Sequence, residues 1–193
     1  MPPIAKFWLS TLKDEQSVNS PAFLQLISEI LDLCASYSGP ESGMTHTHAF
    51  YQDINNPSRL FMITGYPSQE LNIAADNVYA EEYLPRMFDY VQHVWLKQLD
   101  MDITTVPLDE KVVVAYGKNP SQWKDEKNGF GGWDVWLKTS QAQKKAQVER
   151  GDQNFEIAAD RVWVQVSRWE DGNADPAQPT EGEKLYLHKV MSR

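Results

Sequence analysis

Met44-Thr-His-Thr-His-Ala-Phe-Tyr-Gln-Asp-Ile-Asn-Asn-Pro-Ser-Arg-Leu-Phe-Met-Ile-Thr-Gly-Tyr66 reads as two strands joined by a polar turn. In an extended strand alternate residues share a face, so His46, His48 and Phe50 align on one side and Thr45, Thr47, Ala49 and Tyr51 on the other. The turn is set by Asp53-Ile54-Asn55-Asn56-Pro57, where Asn tolerates turn angles and Pro57 has no N–H for a central ladder. The second strand, from Leu60 to Tyr66, is apolar on both faces apart from Thr64. Such a strand is covered on both sides, so the hairpin is expected between a helix layer and a second layer or subunit.

Upstream, Ile4 to Leu12 reads as a strand with Phe7 and Leu9 on one face and Trp8 and Ser10 on the other. Ser20-Pro21 marks a helix start, the hydroxyl as cap and the proline where no N–H is needed, and Gly39-Pro40 marks a stop. Between them Phe23, Leu26, Ile27, Ile30, Leu33, Cys34 and Tyr37 recur at helical spacing, a stripe to be buried against the sheet. Downstream, a short helix begins near Pro67, and a longer one is expected from Glu81 or Pro85 to Gln98 on the stripe Leu84, Met87, Phe88, Val91, Trp95 and Leu99. A strand from Met101 to Val106 then completes the order strand, helix, strand, strand, helix, strand, the ferredoxin-like arrangement. The expected fold is α+β, a ferredoxin-like antiparallel sheet closing into an α/β barrel through a second subunit or through the C-terminal half.

Residues 1–108 form that first unit, and 109–193 read as a C-terminal half that echoes it in degenerate form. Lys111 to Tyr116, Arg161 to Trp169 and Lys184 to Met191 are its strands. Residues 117–132 are expected as a loop, lid-like, with Trp123, Phe130 and Trp133 embedded. Trp136 to Arg150 suits a largely exposed helix, and 170–183 an acidic loop.

The chain has 193 residues, a formal charge of −9 and a pI near 4.9, which argues against a sequence-independent grip on nucleic acid or anionic membrane. One cysteine, Cys34, cannot form an internal disulfide, and its apolar neighbours mark it as a small core residue. No apolar run reaches membrane-spanning length and the start lacks a secretory pattern, so a cytoplasmic protein is expected. Seven Trp and eight Tyr suit either a core or an apolar pocket.

Phe7-Trp8-Leu9, the helix from Pro21, Tyr51-Gln-Asp-Ile-Asn-Asn-Pro-Ser-Arg-Leu-Phe61 and Ile63-Thr-Gly-Tyr-Pro-Ser-Gln-Glu70 together resemble the antibiotic-biosynthesis-monooxygenase-like dimeric α/β barrels. The resemblance covers about residues 4–106 and is one of pattern. It implies a homodimer or tandem barrel, a sheet face walling a small-molecule cavity, and aromatic or polyketide-like substrates handled without a cofactor. Monooxygenation, decarboxylation and cyclisation by proton abstraction all stay open, as does a non-catalytic binding barrel. In that group a Trp often ends the third strand and a His lies in the next helix; here Tyr66 and either Ala75 or Asp76 take those places.

His46 and His48 are the candidate catalytic pair, because imidazole titrates near neutral pH and can move protons. Trp8, Tyr51 and Tyr66 are the candidate substrate-binding residues, a tyrosine hydroxyl being able to steady an enolate or phenolate. A His-x-His metal site lacks a third ligand at useful spacing, so no metal and no cofactor are expected.

Overall fold

The computed structural model describes residues 3–38, 47–119, 129–135, 162–169 and 182–193. His46, Trp123, the Gly39-Pro40 stop, the Trp136 to Arg150 helix and most of the acidic loop fall outside them. The elements are β1 (Ile4–Leu12), α1 (Pro21–Ser36), β2 (Ala49–Asp53), β3 (Arg59–Tyr66), α2 (Gln69–Val78), a wide π turn (Tyr79–Tyr83), α3 (Leu84–Tyr90) and β4 (Val91–Leu99). A single 3-10 turn, Ile103–Thr105, leads to β5 (Lys111–Gly117), β6 (Gly129–Trp133), β7 (Trp163–Arg168) and β8 (Gly182–Ser192).

The eight strands form one sheet in the order β4-β1-β3-β2-β8-β5-β7-β6, with every pairing antiparallel. The two outer strands meet: Leu99 bridges Asp134, Val135 N–H donates to the Gln98 carbonyl (2.7 Å) and Gln98 N–H to Asp134 Oδ1 (3.2 Å). The sheet thus curls into a nearly closed barrel, and within this chain the C-terminal half supplies the closure.

Two expectations are corrected here. The stripe through Leu99 suggested one long helix, but the helix ends at Tyr90 and Val91–Leu99 is a strand, so Met101 to Val106 is a turn rather than the returning strand. The sheet decides this: β1 needs a partner on its free edge, and Ala5 to Leu9 find theirs in Leu99 to Trp95. Likewise Phe130 and Trp133, expected in a loop, lie in β6. Ser20 does precede α1, though its side chain makes no capping bond.

β1, β2 and β3 each have two covered faces. Inward point Phe7, Leu9, Ala49, Tyr51, Phe61 and Ile63, joined by Val112, Val114, Val164, Val166, Leu185 and Leu187 from the second half. Eight strands enclose about the width that side chains can fill, and here they fill it. The outward face of β1, β2 and β3 packs Trp8, Phe50 and Leu60 against Phe23, Leu26, Ile27 and Ile30 of α1 and Met87 of α3. The Ile103 turn closes one end of the barrel over Gly65, where a Cβ would lie 2.2 Å from the Ile103 side chain. Among the described residues no helix is long and apolar enough to cross a membrane.

Candidate functional site

One row on the helix-covered face breaks its apolar pattern. Lys6 is paired with Gln98 of β4 on one side and with Thr64 of β3 on the other. Ala49 pairs with Ile63, and one further step of that register sets His48 across from Thr64. Gln98, Lys6, Thr64 and His48 therefore form a polar belt across four strands, and all four are buried. The helices answer it: Lys6 Nζ is bonded to the Asp76 carboxylate of α2, and it lies 6.0 Å from the Tyr66 ring centre.

At the belt's β2 end, His48 Nδ1 receives the Gly65 N–H at 3.4 Å, which leaves the ring proton on Nε2, 2.5 Å from Ser38 Oγ. The Ser38 hydroxyl has the carbonyls of Gly65 (3.0 Å) and Cys34 (3.1 Å) within reach as acceptors. Burial lowers the His48 pKa to about 4, so the ring is neutral at pH 7. Burial raises the Cys34 thiol to about 11 and pushes the Tyr66 phenol well above its usual value, with Cys34 adding to the Tyr66 shift. The pair sits beside a cleft of about 260 Å³ at the barrel rim, lined by Ser38, Thr47, Gly65, Tyr66, Ile103 and Thr104 among others. That volume lies just under the usual range for small-molecule pockets, and a single-ring ligand suits it better than a large polycycle.

The candidate residues separate. Tyr66 and His48 share the belt, their rings 5.8 Å apart, and Tyr66 lines the cleft. Trp8 lies on the same face one row away, donating its indole N–H to His93 Nδ1 at 3.0 Å. Tyr51 is on the opposite face, fully buried in the barrel, with its hydroxyl donating to the Asp109 carbonyl at 3.2 Å. The cavity expected on the sheet face away from the helices is instead packed core, and His48 faces α1. Lys6, Ser38, Asn72 and Gln98 were not singled out from the sequence. Lys6 carried a signal, being a charge on the Trp8 face of a strand that is covered on both sides.

Among the described residues no group of three His, Cys, Asp or Glu is placed to hold a metal ion. A haem would need an imidazole or thiolate with a free lone pair. Both ring nitrogens of His48 are engaged, Cys34 is a buried protonated thiol, and the α2 position facing Lys6 is a carboxylate already paired. The residues of this layer do not fit a haem.

No family model matches the chain, and no curated protein matches it by sequence. Solved structures do match its fold. One named "putative monooxygenase", from Fusobacterium nucleatum, superposes with a TM-score of 0.54 at 7% identity, over 99% of this chain and 94% of that one. An anthrone oxidase-like protein gives 0.50 at 9% identity, covering 100% and 93%. One named "putative chlorite dismutase" gives 0.50 at 11% identity, covering 99% and 96%. The chain shares the α/β barrel fold of these proteins across its length.

Proposed function

We propose that this protein is an oxidative enzyme of the antibiotic-biosynthesis-monooxygenase-like kind, acting without a cofactor on a small aromatic or polyketide-like molecule of specialised metabolism. The observation that carries the reading is the buried polar belt: burying unpaired amides, a lysine and an imidazole beneath helices costs stability, and a packed apolar layer would not. The names of the similar folds, monooxygenase and anthrone oxidase-like among them, support oxidation as the reaction class.

The substrate ring enters at the cleft against Tyr66. Its acidic C–H or O–H loses a proton, and the carbanion or phenolate passes electrons to O2, one oxygen atom ending in the product and the other in water. The Tyr66 phenol, held protonated, and the Ser38 hydroxyl donate hydrogen bonds to the developing oxyanion. His48 exchanges protons through Ser38. In its resting tautomer it donates to Ser38 Oγ and polarises that hydroxyl. In the other tautomer, with the ring proton on Nδ1, Nε2 takes the Ser38 hydroxyl proton as Ser38 Oγ takes the substrate's, and the ring becomes the imidazolium that holds the abstracted proton.

The test is incubation of the purified protein with a panel of phenols and anthrone-type ketones while oxygen uptake and product are followed, in air and under nitrogen. Oxygen-dependent turnover is expected, falling roughly a hundredfold in His48→Gln and in Tyr66→Phe. Turnover that persists under nitrogen replaces oxygenation with decarboxylation or cyclisation, and tight binding without turnover replaces the enzyme with a ligand cage.

A further inference from the structure

Asn72 is fully buried on the inward side of α2, one turn before Asp76, and neither atom of its amide has a hydrogen-bond partner. Gln98, fully buried on β4 beside Lys6, is in the same condition, as are both amide atoms of Gln69 at the start of α2. The Lys6–Asp76 pair links the strand and the helix that carry these groups. Buried polar atoms are nearly always bonded, so several orphaned amide atoms around one ion pair are a concentration that folding alone does not favour.

The chemistry of the site follows from what these groups offer. A carboxamide presents one donor and one acceptor side by side, and its natural complement is an edge that carries an acceptor beside a donor. Lys6 adds positive charge to the acceptor side. We infer that Asn72 and Gln98 are specificity-determining residues that bind a substrate edge bearing a hydroxyl next to a carbonyl, so that the preferred ligand is a hydroxy-ketone or its enol tautomer rather than a simple phenol. This rests on the belt being the substrate site, as proposed above. Asp76, whose side chain is 31% exposed, is the point where this group of residues meets solvent. A wide π turn follows α2 directly, and such turns break regular helix packing where functional groups need room.

The probes are tropolone, which carries a hydroxyl beside a carbonyl on one ring, and its methyl ether, which keeps the ring and loses the donor. Binding to the intact chain is read by calorimetry, alongside the turnover assay. The wild-type protein is expected to bind tropolone tenfold or more tightly than the ether, because a site built to bond a hydroxyl leaves buried groups unpaired when it is missing. In Asn72→Leu and in Gln98→Leu that preference falls to about one while the weaker affinity for the ether is kept, with folding monitored by thermal melting. Asn72→Asp, which keeps the shape and removes the donor, should lose the preference as well and covers the case in which a leucine variant does not fold. Equal binding of the two probes by the wild type, no binding of either, or an unchanged preference in the variants overturns the assignment. Loss of preference with no turnover of any substrate keeps the assignment and removes the enzyme. Turnover that is indifferent to the variants, with no tropolone preference, does the reverse.

Discussion

The strands of the first half present two buried faces built on opposite plans. Facing the barrel, Phe7, Phe61, Ile63 and Tyr51 interlock with the valines and leucines of the second half, and the principal charge pair, Lys97 with Asp134, sits at the seam where the sheet closes. Facing the helices, the same strands carry Lys6, Thr64 and His48, with Gln98 alongside, among apolar neighbours. The inner face is a structural core whose buried charge pair closes the sheet. The outer face holds polar groups that its own contacts leave incomplete, and the proposed chemistry is the use we assign to them. The comparison is sharpest where removing a charge should hurt in one place and removing an amide should cost nothing in the other.

The largest effect is expected at the seam. Lys97 and Asp134 side chains are 5% and 1% exposed, with Nζ and Oδ2 3.2 Å apart. Lys97→Met leaves a carboxylate buried without its cation and should cost about 3–5 kcal/mol in urea unfolding. Adding Asp134→Leu should return part of that loss but not all, since Asp134 also receives the Gln98 N–H that holds the barrel edge. At the belt, Asp76→Ala should cost less, about 2 kcal/mol, because the Asp76 side chain is 31% exposed and water can reach the site.

Next in size is a pH effect that belongs to the outer face. The folded pKa of His48 is lowered from 6.5 to about 4, so below pH 6.5 the unfolded chain takes up a proton that the native ring refuses. The stability contribution is full above pH 6.5 and is lost progressively as pH falls toward 4, amounting to at most about 3 kcal/mol. In His48→Gln this segment of the stability–pH curve should flatten. A variant that keeps the slope between pH 6.5 and 4 would assign it to other groups.

Much of this was legible in the sequence. Alternation placed Phe50 and His48 on one face of β2 and Ala49 and Tyr51 on the other, and the doubly apolar β3 correctly announced a strand covered on both sides. What the sequence did not reveal was which covering faced which side, because alternation is blind to which of two apolar faces meets the helices. His48 thereby moved from an expected cavity wall to a helix interface. Residues 91–99 were misread because Leu84, Met87, Val91, Trp95 and Leu99 satisfy helical spacing, while the edge of β1 that demands a strand there is a long-range fact. Asn72 and Gln98 were invisible for a related reason: an amide in a polar-looking segment reads as surface until the packing buries it.

A smaller effect is expected at the barrel end. Gly65 stands against Ile103, and Gly65→Ala forces the turn away by introducing a Cβ at 2.2 Å. Overpacking of this kind should cost about 1–3 kcal/mol and reshape the cleft, whose lining includes both residues. Gly65→Ala combined with Ile103→Gly should recover part of the stability, as the atoms met are the Ile103 Cβ and its two γ carbons, and an alanine at 103 would keep the nearest of them. A double variant no better than the single one would place the strain elsewhere.

The smallest effect has the opposite sign and separates the two faces most cleanly. Asn72 is buried with its amide unbonded, so the folded protein already bears the desolvation cost of that group and gains no hydrogen bond in return. Replacing it by leucine, apolar and with the same branching and number of side-chain heavy atoms, removes that cost without opening a cavity. Asn72→Leu should therefore leave stability unchanged or raise it by about 1 kcal/mol, read as a higher urea midpoint at constant slope. A residue kept for packing would not behave so, and nor would one whose amide bonds ordered water, since its loss would cost about as much as a bond. Stability that rises while ligand preference disappears is the signature of a group held at the fold's expense for the sake of binding. A loss of 1 kcal/mol or more in Asn72→Leu would instead make Asn72 part of the core, and the two faces would then follow one plan.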